Sequence, residues 1–76
     1  MRKHPEPTLL RFGENVRRTR EALSWTQEVL AEKSGLDQTF ISGIERGSRN
    51  PTVLTVTRIA AALGITVSRL CKEIER

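Results

Sequence analysis

A chain of 76 residues makes one small domain with a thin core, because a chain this short buries only about 60–65% of the surface its unfolded form exposes. That leaves little room for an enclosed substrate cavity and weighs against most enzymes. Hydrophobic residues at 37% and charged ones at 29% suit a folded chain, and thirteen Lys and Arg against nine Asp and Glu, net +4, favour an acidic partner such as nucleic acid or anionic lipid.

No apolar run approaches the roughly 18–20 residues that span a bilayer, and the first seven residues lack the apolar segment of a signal peptide. A cytoplasmic protein is expected. The single cysteine, Cys71, has no partner for an internal disulfide, and the single histidine, His4, stands in a proline-flanked stretch without other ligands, so neither metal nor cofactor is expected. A glycine-rich phosphate loop and a nucleophile–base pair are also missing, which argues against catalysis. No segment sets Lys and Arg opposite a broad apolar face, as a membrane-surface helix would.

Residues 1–7, MRKHPEP, hold two prolines and no apolar period, and are expected to form a mobile arm. From Thr8, a plausible N-cap, Leu9, Phe12, Val16, Arg20 and Leu23 recur at helical steps while Arg11, Glu14, Arg17, Arg18 and Glu21 fill the other face. Trp25 then plugs the corner before a second helix. Thr26 caps that helix over 27–34, with Glu28 in its first turn and Gly35 as its left-handed end. Asp37 caps a third helix over 38–46 whose Phe40, Ile41 and Ile44 face inward, and Gly47 ends it. Turn residues up to Pro51 precede Thr52, which caps a fourth helix with Val53, Val56, Ile59, Ala60 and Leu63 on one face. Gly64 ends it, and Thr66 opens a fifth helical segment in which Val67, Leu70, Cys71 and Ile74 keep the spacing to the end of the chain.

Five short helices, the second and third joined by about three residues including a glycine, describe an all-α five-helix bundle with a helix-turn-helix. The third helix is the one such a motif lays in the DNA major groove, with polar residues of its first turns reaching base edges. Those residues are Gln38, Thr39 and Ser42. A glutamine can offer donor and acceptor to adenine N6 and N7, while the two hydroxyls can bond several bases or touch a thymine methyl.

The stretch TQEVLAEKSGLDQTFISGIERGSRNPT, extended by VRRTREALSWTQ before it and RIAAALGI after it, resembles the DNA-binding domain of the Cro and phage-repressor (XRE-type) transcriptional regulators. The resemblance covers residues from about Leu9 to Ile74, and ISGIERGSRNPT is similar to the small dimeric controller proteins of restriction-modification systems. It implies a lambda-repressor-like fold over 8–76, with the base-reading positions on Gln38, Thr39, Ser42 and Gly43, the last of which has no side chain to offer. It also implies phosphate contacts from Gln27, which braces the recognition helix, and from Arg46, Ser48, Arg49 and Asn50 in the following loop. A structural ion pair between Arg20 and Glu45 is implied too. Val29 stands where the family often completes a capping box, so the second helix is expected to fray more at its start.

Charge is unevenly spread: residues 25–45 carry one positive and four negative charges, and 46–58 three positive and none negative. Phosphate clamping must therefore come from the first helix, Arg17 included, from the arm and from the 46–58 stretch, while the third helix supplies register and sequence. Glu28 and Glu32 share a face of the second helix; they read either as a solvated surface or as a contact for RNA polymerase. A short recognition helix reads few base pairs, so two copies on a palindromic operator are expected. Leu54, Ile65, Val67, Leu70, Cys71 and Ile74 are the candidate homodimer interface. The expected function is a sequence-specific transcriptional regulator, with control of a restriction-modification system as its setting. The alternative is an antitoxin or other protein-interaction module on the same fold.

Overall fold

The computed structural model describes residues 6–76. Five helices follow in order, α1 Pro7–Ala22, α2 Gln27–Ser34, α3 Gln38–Glu45, α4 Val53–Leu63 and α5 Val67–Leu70, and there is no strand among the described residues. Of the expected arm, residues 1–5 lie outside the described residues. Its last residue already belongs to α1: the helix starts at Pro7 rather than after a Thr8 cap, with Glu6 in extended conformation before it. Proline is favoured there, since its missing N–H falls among the unbonded donors of a first turn and its fixed φ suits a helix.

The other helices begin on side-chain caps. Thr26 Oγ1 accepts from the Val29 N–H at 3.2 Å, Asp37 Oδ2 from Thr39 N–H at 2.9 Å, Thr52 Oγ1 from Thr55 N–H at 3.1 Å and Thr66 Oγ1 from Arg69 N–H at 3.0 Å. Each satisfies one of the amides that a helix start leaves bare. Between α2 and α3, Gly35 takes φ +73° and the Leu36 N–H returns to the Ala31 carbonyl at 3.1 Å. That left-handed residue makes the turn short enough for the two helices to pack.

Phe12 and Val16 of α1, Leu30 of α2, Ile41 and Ile44 of α3, Ile59 and Leu63 of α4 and Leu70 of α5 meet in the core. α1 and α3 approach closely at Gly13, where a Cβ would overlap the backbone carbonyl oxygens of Ile44 and Glu45. Trp25 packs half-buried against the same core, at the corner between α1 and α2.

The C-terminal segment departs from expectation. α5 stops at Leu70, and turns follow, with Glu73 at φ +60°. Side chains of α1 take carbonyls of this segment instead. Asn15 Nδ2 donates to Leu70 O at 2.9 Å and to Lys72 O at 3.0 Å, and Arg11 Nη1 donates to Ile74 O at 3.1 Å. The helical spacing of the sequence therefore ends in a strapped turn.

Candidate nucleic-acid interface

α3 has two distinct sides. Ile41 and Ile44 are buried in the core, whereas Gln38 and Thr39 are exposed, Ser42 is half-buried at the edge and Gly43 is covered by the Arg49 side chain. The three candidate base readers thus lie together on the first two turns of one helix, clear of the core.

Below that surface α3 is fixed by a polar knot. The Glu45 side chain, only 3% exposed, accepts from Arg20 Nε at 2.7 Å and Nη2 at 3.0 Å, and from Gln27 Nε2 at 2.9 Å. Arg20 spends its remaining reach on the Trp25 carbonyl, 2.7 Å from Nη1. The hydrogen bond to Glu45 is the main cause that raises the Arg20 pKa, against an opposing burial effect, with the Glu45 and Glu21 charges adding to it. The knot joins α1, α2 and α3, and it leaves Gln27 half-buried with a second amide hydrogen for an outside acceptor.

It also changes the charge picture. Of the four acidic residues between 25 and 45, Glu45 is neutralised inside by Arg20, while Asp37, which caps α3, and Glu28 and Glu32 on α2 are exposed.

The loop after α3 folds back on the helix. The Ser48 N–H and Oγ both donate to the Gly43 carbonyl, at 2.9 and 3.1 Å, and Arg46 Nη1 donates to Ser42 Oγ. Arg46, Ser48, Arg49 and Asn50 are all exposed, so this loop borders the face of Gln38, Thr39 and Ser42. Arg17 stands apart on α1, where its Nη2 lies 3.1 Å from both Glu14 oxygens, and Arg18 Nε is 3.3 Å from Glu14.

The candidate dimer residues divide. Leu54 is 63% exposed and Val67 39%. Ile65, Cys71 and Ile74 are half-buried against the protein's own core, and Leu70 is fully buried in it. Leu70 is therefore corrected from an interface residue to a core residue: α5 turns it inward, and α1 holds it there through Asn15. Burial, and secondarily the Glu75 charge, push the Cys71 thiol pKa up. Val53, expected on the inner face of α4, is 82% exposed instead. It is the first residue of α4, whose buried residues begin only at Ile59. Its exposure follows from that terminal position and adds an apolar residue beside Leu54.

The helix-turn-helix family matches residues 16–70. The chain belongs to that family. The control protein C.MunI of Mycoplasma sp is 40% identical over 68 residues, which span 88% of this chain and 92% of C.MunI. The restriction-modification controller protein C.AhdI of Aeromonas hydrophila superposes with a TM-score of 0.80 at 40% identity, covering 82% of this chain and 94% of C.AhdI. The controller protein C.Esp1396I, solved as a tetramer in complex with its natural 35 base-pair operator, superposes with a TM-score of 0.81 at 37% identity, over 93% of this chain and 99% of that one.

No helix among the described residues is long and apolar enough to cross a membrane, and those residues contain no group of three or more His, Cys, Asp or Glu placed to hold a metal ion.

Proposed function

We propose that this helix-turn-helix protein is a sequence-specific transcriptional regulator of the restriction-modification controller kind, binding a palindromic operator as a homodimer in the cytoplasm. The observation that carries this reading is the placement of exposed Gln38 and Thr39, with half-buried Ser42 beside them, on one face of a helix whose opposite face is buried. Arg46 and Arg49 border that face. The similarity to C.Esp1396I, a controller protein that holds operator DNA as an oligomer, supports it.

Each recognition helix supplies hydrogen bonds to base edges, while Gln27, Arg46, Ser48, Arg49, Asn50 and Arg17 hold the sugar-phosphate backbone and set register. Two subunits related by a two-fold axis present two such helices about 34 Å apart, one turn of DNA. Val53 and Leu54, with Val67, form the apolar contact between subunits. Regulation is by occupancy of the operator. Glu28 and Glu32, free on the exposed side of α2, are an acidic contact for RNA polymerase; equal transcription by parent and by the Glu28→Lys, Glu32→Lys variant would remove this role.

Selection of bound duplexes from a random pool tests the whole reading. A two-fold-symmetric consensus is expected. Absence of enrichment over non-specific binding would leave the protein-interaction module as the better account.

A further inference from the structure

The side of α1 turned away from α3 carries a concentration of positive charge that the reading surface does not use. Gly13 meets α3, whereas Asn15, two residues on, lies about 200° round the helix from it and meets the C-terminal turns. Between α1 and those turns run two adjoining clefts of about 270 and 300 Å³, both lined by Asn15, Arg18, Lys72 and Glu73. One extends to Arg11, Glu14, Arg76 and Leu10, the other to Arg69. Five cations thus line the paired clefts against two carboxylates.

These charges are not balanced locally. Glu14 is shared by Arg17 and Arg18, at 3.1 and 3.3 Å, and Arg11 Nη1 is taken up by the Ile74 carbonyl. Arg69, Lys72 and Arg76 enter no ion pair among the described residues. Cations gathered along one cleft repel one another, and together they focus a field on any anion that enters. The walls are also held in place. Asn15 Nδ2 donates to the carbonyls of Leu70 and Lys72 at 2.9 and 3.0 Å, which fastens the segment carrying Arg69 and Lys72 to the helix carrying Arg18. Less ordering is then left for a ligand to impose.

Size narrows the choice of anion. Each cleft lies near the lower end of the roughly 300–1,000 Å³ typical of ligand sites, which suits a small ion. A single phosphate reaches only part of a row of cations spread along both clefts, whereas two linked phosphates meet charge in each. Leu10, 45% exposed at one end, offers an apolar contact beyond the charges.

We propose that the cleft between α1 and the C-terminal turns binds a small anion with two or more linked phosphate groups, free or as part of a nucleotide, through Arg18, Arg69, Lys72 and Arg76. This site lies apart from the reading face of α3 and does not rest on the operator-binding reading.

The test is calorimetric titration of the full chain with pyrophosphate and, separately, with ADP, at fixed ionic strength. Pyrophosphate should bind once per chain and raise the melting temperature more than sulfate does at equal concentration. Lys72→Ala, which keeps the backbone carbonyl that Asn15 bonds, and Arg69→Ala should each weaken binding by about tenfold or more, the worth of a hydrogen bond between charged partners. Glu14→Gln should strengthen it by releasing Arg18. Arg58→Ala, which removes the same charge from α4 outside these clefts, should bind as the parent does, and so should Arg46→Ala with Arg49→Ala. Tighter binding of ADP that Leu10→Ser abolishes would support a nucleotide as the ligand; equal affinities would support the diphosphate alone.

Absence of saturable binding would overturn the proposal. So would equal weakening by Lys72→Ala and Arg58→Ala, which would reduce the effect to general surface charge. Loss of binding in the Arg46→Ala, Arg49→Ala protein would place the anion on the loop after α3 and overturn it as well.

Discussion

Arg20 of α1 and Glu45 at the end of α3 are joined by two hydrogen bonds, 2.7 and 3.0 Å long, with side chains only 10% and 3% exposed. The pair fixes the recognition helix to the rest of the molecule. Removing one partner strands a buried charge, which typically costs about 3–5 kcal/mol, whereas replacing both by apolar groups can be close to neutral. Arg20→Met should therefore lower the thermal midpoint sharply, and Arg20→Met with Glu45→Leu should recover part of the loss. Recovery will be incomplete because Gln27 also bonds Glu45. Urea unfolding of the three proteins measures both effects.

Gly13 has a different structural task. A methyl group there meets backbone oxygens of Ile44 and Glu45 rather than a movable side chain, so α1 and α3 must separate to admit it. Overpacking of this kind costs roughly 1–3 kcal/mol. Gly13→Ala should destabilise despite the higher helix propensity of alanine. Calorimetric melting of the variant beside the parent decides this.

Much of the fold is legible locally. Thr26, Asp37, Thr52 and Thr66 announce helix starts because capping is chemistry within three residues, and Gly35 marks the tight turn because few other residues accept its left-handed backbone. The candidate reading face follows from the same short-range pattern, since Ile41 and Ile44 claim one side of α3 and leave Gln38, Thr39 and Ser42 on the other. What could not be read depends on chain segments far apart in sequence. Asn15 of α1 takes the Leu70 carbonyl at the end of α5 and Arg11 takes that of Ile74 in the turns beyond, and the guanidinium carbon of Arg49 lies 5.7 Å from the centre of the Phe40 ring because the loop returns to Gly43. Val53 was misplaced for a simpler reason, since apolar spacing alone does not say where along α4 the neighbouring helices stop covering it.

Ser42 and Arg46 should act as a unit. The guanidinium of Arg46 donates to the Ser42 oxygen, leaving the hydroxyl hydrogen for a base acceptor such as N7 of a purine or O4 of thymine. Ser42→Ala and Arg46→Ala should each weaken operator binding, and the double variant should weaken it by less than the sum, with a coupling of about 0.5–3 kcal/mol. Fluorescence anisotropy titrations complete the cycle; strict additivity would separate the two residues.

Val53 and Leu54, 82% and 63% exposed, can be charged without disturbing the core. Val53→Asp with Leu54→Asp should leave the helical circular dichroism and melting of each subunit nearly intact, yet shift the protein from dimer to monomer by light scattering. Operator affinity should fall with it. An unshifted mass would move the subunit contact elsewhere on the surface.

The most direct test of the central claim is titration of the selected operator and of a scrambled duplex, at two salt concentrations, with parent and with Gln38→Ala, Thr39→Ala protein. The double variant should lose most of the preference for the operator while keeping the salt-dependent, non-specific affinity that the arginines supply. Undiminished discrimination by a folded double variant would contradict the assignment of α3 as the sequence-reading element.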